Sequence, residues 1–177
     1  MRCIGLVTVP IGQASMIPVS NMIGITSAIF HELYFITGGQ GSSIRANKRL
    51  KNVYVIDSRS ERIKKFRVVK GLIQILKATV YMGYLLSRKV NLWIFPMGAN
   101  LLLPAIVTAK ITGKPIIINL PSSPQAIIGG EPKRLKKLLI ACAKINFTIA
   151  NRIVVYSPNL ISEWNLEPYR HKILIAH

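Results

Sequence analysis

The chain has 177 residues, enough for one domain with a real core, and half of them are apolar, which excludes a disordered tail. Six acids (Glu32, Asp57, Glu61, Glu131, Glu163 and Glu167) face 24 Lys and Arg. The resulting net charge of +18 implies an anionic partner: lipid headgroups, nucleic acid or a phosphorylated substrate. Cys3 and Cys142 stand in apolar contexts with no partner motif, as reduced core thiols in a cytosolic setting do, and no metal-ligand spacing occurs.

Taken in chain order, short β-rich runs alternate with helical stretches. Ile4–Val9 reads as a strand, followed by a polar-tinged loop and a helical stretch to about Leu33. Tyr34–Thr37 is a strand ending in "GGQGSS", and Val53–Ile56 is a strand ending at Asp57. Within Lys64–Arg88, Phe66, Val69, Leu72, Ile73, Leu76 and Val80 recur at the three-four spacing of an amphipathic helix. Leu92–Phe95 is a strand, and the helix after it runs to about Thr112, closed by Gly113. Pro115–Leu120 is a strand, and Pro132 opens a helix to Ala150, a first turn being where Pro is tolerated. Ile153–Tyr156, a short helix and Lys172–Ala176 complete the chain.

Two uncharged stretches imitate membrane segments. Residues 3–30 follow Arg2 as a signal peptide would, but Pro10, Gly12, Gln13, Ser15, Pro18, Ser20 and Asn21 break the apolar run. Residues 92–109 reach only the lower length limit of a span, with Pro96-Met97-Gly98-Ala99-Asn100 in the middle. Strand, turn and buried helix is the better reading. Strands that are apolar throughout are buried on both faces, as in a parallel sheet covered by helices. The expected fold is therefore α/β: a Rossmann-like, open, mostly parallel sheet of about seven strands with helices on both faces, forming a single domain over residues 1–177. No helical pattern separates the second and third strands, so the third is expected to be antiparallel.

In such a sheet, ligands bind beyond the carboxyl ends of the strands. The loops that belong there are "PIGQAS", "GGQGSS", "PMGAN" and "PSSPQAIIGG", which are rich in Gly, Ser, Gln and Asn and free of acids. Glycines let backbone approach a ligand, and free amides at a helix start favour anions. The candidate substrate-binding residues are Gly12, Gln13, Ser15, Gly39, Gln40, Gly98, Asn100, Ser122 and Ser123. Two readings stay open: a polar cleft for sugar hydroxyls or phosphates, and plain turn chemistry. No G-x-G-x-x-G in a dinucleotide-binding context and no Walker sequence is present. His31 and Asp57 read as helix-end and strand-end residues, and His171 and His177 as surface and linker, so no catalytic residue is assigned.

The cations are clustered. Arg45, Lys48, Arg49, Lys51, Arg59, Arg62, Lys64, Lys65, Arg67 and Lys70 fall in one stretch, and Lys133, Arg134, Lys136 and Lys137 in a second. Each cluster adjoins an amphipathic helix, with Leu135, Leu138 and Leu139 beside the second. That pattern fits peripheral docking on an anionic membrane, about 1 kcal/mol per cation near the surface, with Lys64, Lys65, Arg67, Lys70, Lys133, Arg134, Lys136 and Lys137 in contact. Few aromatics interleave with the basic run, which disfavours nucleic acid as the partner.

Three segments carry a family likeness: "YFITGG" at 34–39, "LLLPAIVTAKITGKPIIINL" at 101–120, and "IANRIVVYSPNLISEW" with "YRHKILIAH" at the end. On these the chain resembles the N-terminal, acceptor-side domain of GT-B glycosyltransferases of the retaining family-4 type. The resemblance implies the acceptor-binding half of a glycosyltransferase with a nucleotide-sugar co-substrate and a sugar or lipid-linked acceptor, and the clustered cations add the expectation of peripheral docking on the cytoplasmic face of a membrane. The resemblance also implies a donor-binding domain or chain that this sequence lacks, so an isolated chain would be inactive. A non-catalytic membrane-docking subunit of a split enzyme is the alternative. Pro121, Ser122 and Ser123 stand where many members carry His or Asp, and Asp57 is the only aspartate, so a DxD metal site is excluded and a metal-independent enzyme is implied.

Overall fold

The computed structural model describes residues 3–11, 15–39, 41, 43–44, 52–57, 67–86, 88–96 and 101–176. The elements are β1 (Cys3–Ile11), α1 (Met16–Ile29), β2 (Glu32–Gly39), β3 (Val53–Asp57), α2 (Arg67–Val80), β4 (Leu92–Phe95), α3 (Leu103–Ile111), β5 (Ile116–Leu120), α4 (Pro124–Ile128), α5 (Lys133–Ile149), β6 (Arg152–Val155), α6 (Asn159–Glu163) and β7 (Ile173–Ile175). A π-helical turn, Tyr81–Leu86, extends α2, and a 3-10 turn, Glu167–Lys172, precedes β7.

The strands form one 7-stranded sheet in the order β3-β2-β1-β4-β5-β6-β7, and every neighbouring pair is parallel. The expected antiparallel third strand is thus corrected: β2 and β3 pair in parallel register from Leu33↔Val53 to Thr37↔Asp57. A parallel pair needs a crossover rather than a helix as such. Of the residues between β2 and β3, Ile44 is buried in the cluster on the α1 side of the sheet.

Apolar side chains alternate between the two faces. On one, Ile4, Leu6, Leu33 and Phe35 pack under Val19 and Ile23 of α1. On the other, Trp93, Phe95, Ile116, Ile118, Ile153 and Val155 meet α3, α5 and the end of α2 through Ala105, Ile106, Ala143, Phe147 and Met82. Gly5 is required beneath this layer, because a Cβ there would collide with the buried Trp93 ring. Within the stretch 92–109, Leu92–Phe95 is strand and helix α3 begins at Leu103, the expected turn at 97–100 lies outside the described residues, and no helix among the described residues is long and apolar enough to cross a membrane.

Two helix boundaries differ from expectation. α1 stops at Ile29 instead of reaching Leu33, since Phe30 is extended and Leu33 is a fully buried strand residue. Asn52 Nδ2 donates to the Ser27 and Phe30 carbonyls at 3.1 and 2.9 Å, closing that helix end. The second difference is α4, inside what reads as a loop. Ser123 caps it by accepting from Ala126 N at 3.2 Å, with Pro124 in the first turn.

Candidate functional site at the carboxyl edge of the sheet

Because all strands run the same way, their carboxyl ends share one edge, and strand order reverses between β1 and β4. β1 reaches that edge irregularly. Its register against β2 shifts between Val7 and Pro10, and below the shift Thr8 and Thr37 hydroxyls bond at 2.9 Å, both buried. β2 ends at Gly39 with φ 63, a left-handed turn that favours glycine. Gly41 follows in a space where a Cβ would meet Thr37 Oγ1 and the Ile11 side chain.

Among the nine substrate-binding candidates, Ser15, Gly39, Ser122 and Ser123 are described, whereas Gly12, Gln13, Gln40, Gly98 and Asn100 lie outside the described residues. Ser15 precedes α1, and Ser122 follows β5 by way of Pro121. Both line one cavity of about 320 Å³ together with Val9, Leu101, Pro121, Ala126 and Ile127. Ser122 is fixed from behind, its carbonyl accepting Trp164 Nε1–H at 2.9 Å. The Ser123 hydroxyl is engaged as the α4 cap. Gly39 stands at the end of β2, on the far side of β1 from β4.

No protein-family model matches this sequence, and no curated protein is significantly similar to it. Solved structures are similar in fold. One is a UDP-glucosyltransferase from Polygonum tinctorium capable of glucosylating indoxyl, at 12% identity and TM-score 0.65 over 96% of this chain and 49% of that one. A second is MurG from Acinetobacter baumannii, at 14% identity and TM-score 0.54 over 90% and 43%. A putative UDP-N-acetylglucosamine 2-epimerase from Listeria monocytogenes aligns at 8% identity and TM-score 0.62 over 99% and 45%. The fold is GT-B-like. The chain spans about half the length of these structures.

A larger groove of about 610 Å³ opens near the same edge but runs down the α1 face of the sheet. Pro121 lines both spaces. Its walls are Pro18, Asn21, Met22, Ile25 and Thr26 of α1 and Ile94, Ile117, Asn119, Val154 and Tyr156 of the sheet side. Asn119 is buried, and its Nδ2 donates to Tyr156 Oη at 3.1 Å. Sequence reading missed this groove. The available signals were the single polar residue within "IIINL" and a helix, α1, without one charge.

The cation candidates divide as the residues do. Lys64 and Lys65 lie outside the described residues, and Arg67 and Lys70 fall in the first turn of α2. Lys133, Arg134, Lys136 and Lys137 occupy the first turns of α5; Lys133, Arg134 and Lys137 are exposed beside Leu138, which is 60% exposed. Lys136 Nζ donates to Gln125 Oε1 at 3.0 Å. Neither helix has an acid in its first turn.

Shifted titrations belong to the opposite, amino edge. Burial, followed by a 3.1 Å hydrogen bond donated to Glu32, pushes Tyr34 up to about 12. Burial and a bond to the same carboxylate also raise the Cys3 thiol, making it a poor nucleophile. Cys3 and Cys142 are free cysteines, and no metal-ligating cluster of His, Cys, Asp or Glu exists among the described residues.

Proposed function

We propose that this chain is the acceptor-binding half of a membrane-associated, metal-independent, retaining glycosyltransferase that uses a nucleotide-sugar donor bound by a second domain or chain. The observation that carries the reading is the convergence of Ser15 and Ser122, far apart in sequence, on one cavity at the carboxyl edge of a GT-B-like sheet. Short polar side chains and backbone there suit sugar hydroxyls. The cations at the start of α5, beside exposed Leu135 and Leu138, support docking on an anionic membrane surface, on the cytoplasmic face where anionic lipid is exposed. Lys64, Lys65, Arg67 and Lys70 are proposed to serve the same docking role.

One observation favours a purely recruiting subunit of a split enzyme: none of the described residues lining the edge cavity is an acid, a base or a histidine. Both readings share the docking surface. The test is sedimentation with vesicles of phosphatidylglycerol and phosphatidylcholine, with a parallel turnover assay on nucleotide-sugars. Binding should be strong at low ionic strength and fall steeply with salt, since exposed charges are screened within about 10 Å at 0.1 M. The isolated chain should transfer no sugar. Equal binding to neutral vesicles removes the membrane role, and robust turnover by this chain alone removes the half-enzyme reading.

A further inference from the structure

The layer formed by α2, α3 and α5 has an outer surface unlike that of helices facing water. α3 packs against both α2 and α5, and all three bury one side in the same core through Ala78, Ala105, Ile106, Ala143 and Phe147. On a water-facing helix the opposite stripe is polar, with acids and bases interspersed. Here α2 carries three cations, α3 one and α5 five, and no Asp or Glu stands on any of them. Aliphatic side chains stand among these cations on the side away from the core. In α5, Arg134, Leu138, Ala141, Ile145 and Thr148 recur at the three-four spacing of one helix face, and all are exposed. That outward stripe is apolar at its centre, with the exposed Lys137 and Lys144 beside it. In α2, Leu76 and Val80 lie one turn apart, 62% and 60% exposed, near Lys77. At the end of α3, Ile111 is 79% exposed next to Lys110.

Cations without intervening acids attract any polyanion, so charge alone does not separate lipid from nucleic acid. The outward Leu, Ile and Val do. A phosphate backbone offers nothing apolar to bury them in, whereas a bilayer interface takes up aliphatic side chains while Lys and Arg reach back to the phosphates. We propose that this layer is the lipid-contacting surface. The chain lies with α2, α3 and α5 against an anionic membrane, Leu76, Val80, Ile111, Leu138 and Ile145 entering the acyl boundary and the cations around them meeting headgroups. This rests on the membrane-docking reading above and goes beyond charge attraction at the start of α5, adding two helices, an orientation and penetration. The orientation has a consequence for the acceptor. α5 is tied to α4 by the bond from Lys136 to Gln125, and α4 lines the edge cavity with Ala126 and Ile127. The cavity of Ser15 and Ser122 thus opens close to the headgroups, where a lipid-linked acceptor presents its polar end.

The experiment is tryptophan scanning on vesicles of phosphatidylglycerol and phosphatidylcholine brominated along the acyl chain, which quench indoles that enter the lipid. Trp93 and Trp164 are buried in the core and supply a constant background. Leu76→Trp, Leu138→Trp and Ile145→Trp replace exposed side chains, so folding tolerates them. Each should add emission that shifts to the blue on vesicles and is quenched by the brominated lipid. Ile25→Trp, exposed on α1 at the opposite face, should add emission that is not quenched. In sedimentation, Leu76→Ser, Leu138→Ser and Ile145→Ser combined should weaken vesicle binding roughly tenfold or more while keeping its salt dependence. Vesicle binding that leaves the added tryptophans unquenched and ignores the serine changes overturns this inference and leaves electrostatic docking standing, the pattern that a nucleic-acid face would also give. Quenching at Ile25→Trp equal to that at Leu138→Trp overturns the orientation. No binding to anionic vesicles overturns the docking reading itself, and this inference with it.

Discussion

Reversing the charge of Lys133, Arg134 and Lys137 together should make the protein more stable and dock more weakly. These residues occupy the first turns of α5, where unpaired backbone N–H groups and the helix dipole concentrate positive potential. A cation there is unfavourable and a carboxylate favourable, each by about 0.3–1 kcal/mol at an exposed position. The three side chains are exposed, which keeps the effect at the low end and makes it salt-sensitive. Lys136 is left in place because its ammonium donates to Gln125 on α4. The triple variant K133E/R134E/K137E should therefore gain roughly 1–2 kcal/mol, read as a raised urea midpoint at low salt. Its affinity for phosphatidylglycerol vesicles should fall by about 1 kcal/mol or more per residue reversed. A variant that is less stable, or one that binds vesicles as the parent does, would show that these cations serve the fold rather than an anionic surface.

Trp164→Phe removes the 2.9 Å bond that holds the Ser122 carbonyl and weakens the edge-on contact with Phe147 at 5.8 Å. A loss of roughly 2 kcal/mol is expected, with Trp93 left as the fluorescence reporter of unfolding. Ser123→Ala should cost about 1 kcal/mol in urea unfolding, as loss of the α4 cap does, and an unchanged midpoint would show that the hydroxyl does not cap the helix. Tyr34 is an acid whose folded pKa, about 12, lies above its unfolded value of 10, so its contribution is present below pH 10 and is lost as pH rises toward 12. Tyr34→Phe should flatten the stability profile in that window, and an unaltered slope would refute the raised pKa that burial and the Glu32 bond give this phenol.

The fold was legible because its strands are apolar throughout and its helices carry local end signals. Leu92–Phe95 coincides in sequence and structure, and α3 closes where Gly113, at φ 71, supplies the left-handed turn. Errors arose where tertiary contacts override local pattern. Leu33 continues the apolar run of α1 in sequence, yet the sheet claims it, and Asn52 from a distant segment closes the helix. The parallel orientation of β3 differs from the expectation because periodicity reports helices, and residues 40–52 carry no helical period from which a crossover could be read.

The candidate site was legible for a different reason: topology. Once the strands are parallel, the residues after each one must share an edge, and that alone brings Ser15 and Ser122 to one cavity. Sequence cannot reveal how each hydroxyl is spent. Ser122 and Ser123 are identical neighbours, yet one lines the cavity with its carbonyl tied to Trp164 while the other caps a helix. The groove was hidden more deeply, because it lies where no described helix covers β4, β5 and β6 rather than at any motif. Asn119 and the uncharged α1 are its markers in sequence: in a strand whose other residues are all aliphatic, a buried amide is stable only where something meets it. Tyr156 meets that amide, accepting from Asn119 Nδ2 at 3.1 Å, so the polar residue ties β5 to the end of β6, while its oxygen lies too deep to be reached from the groove.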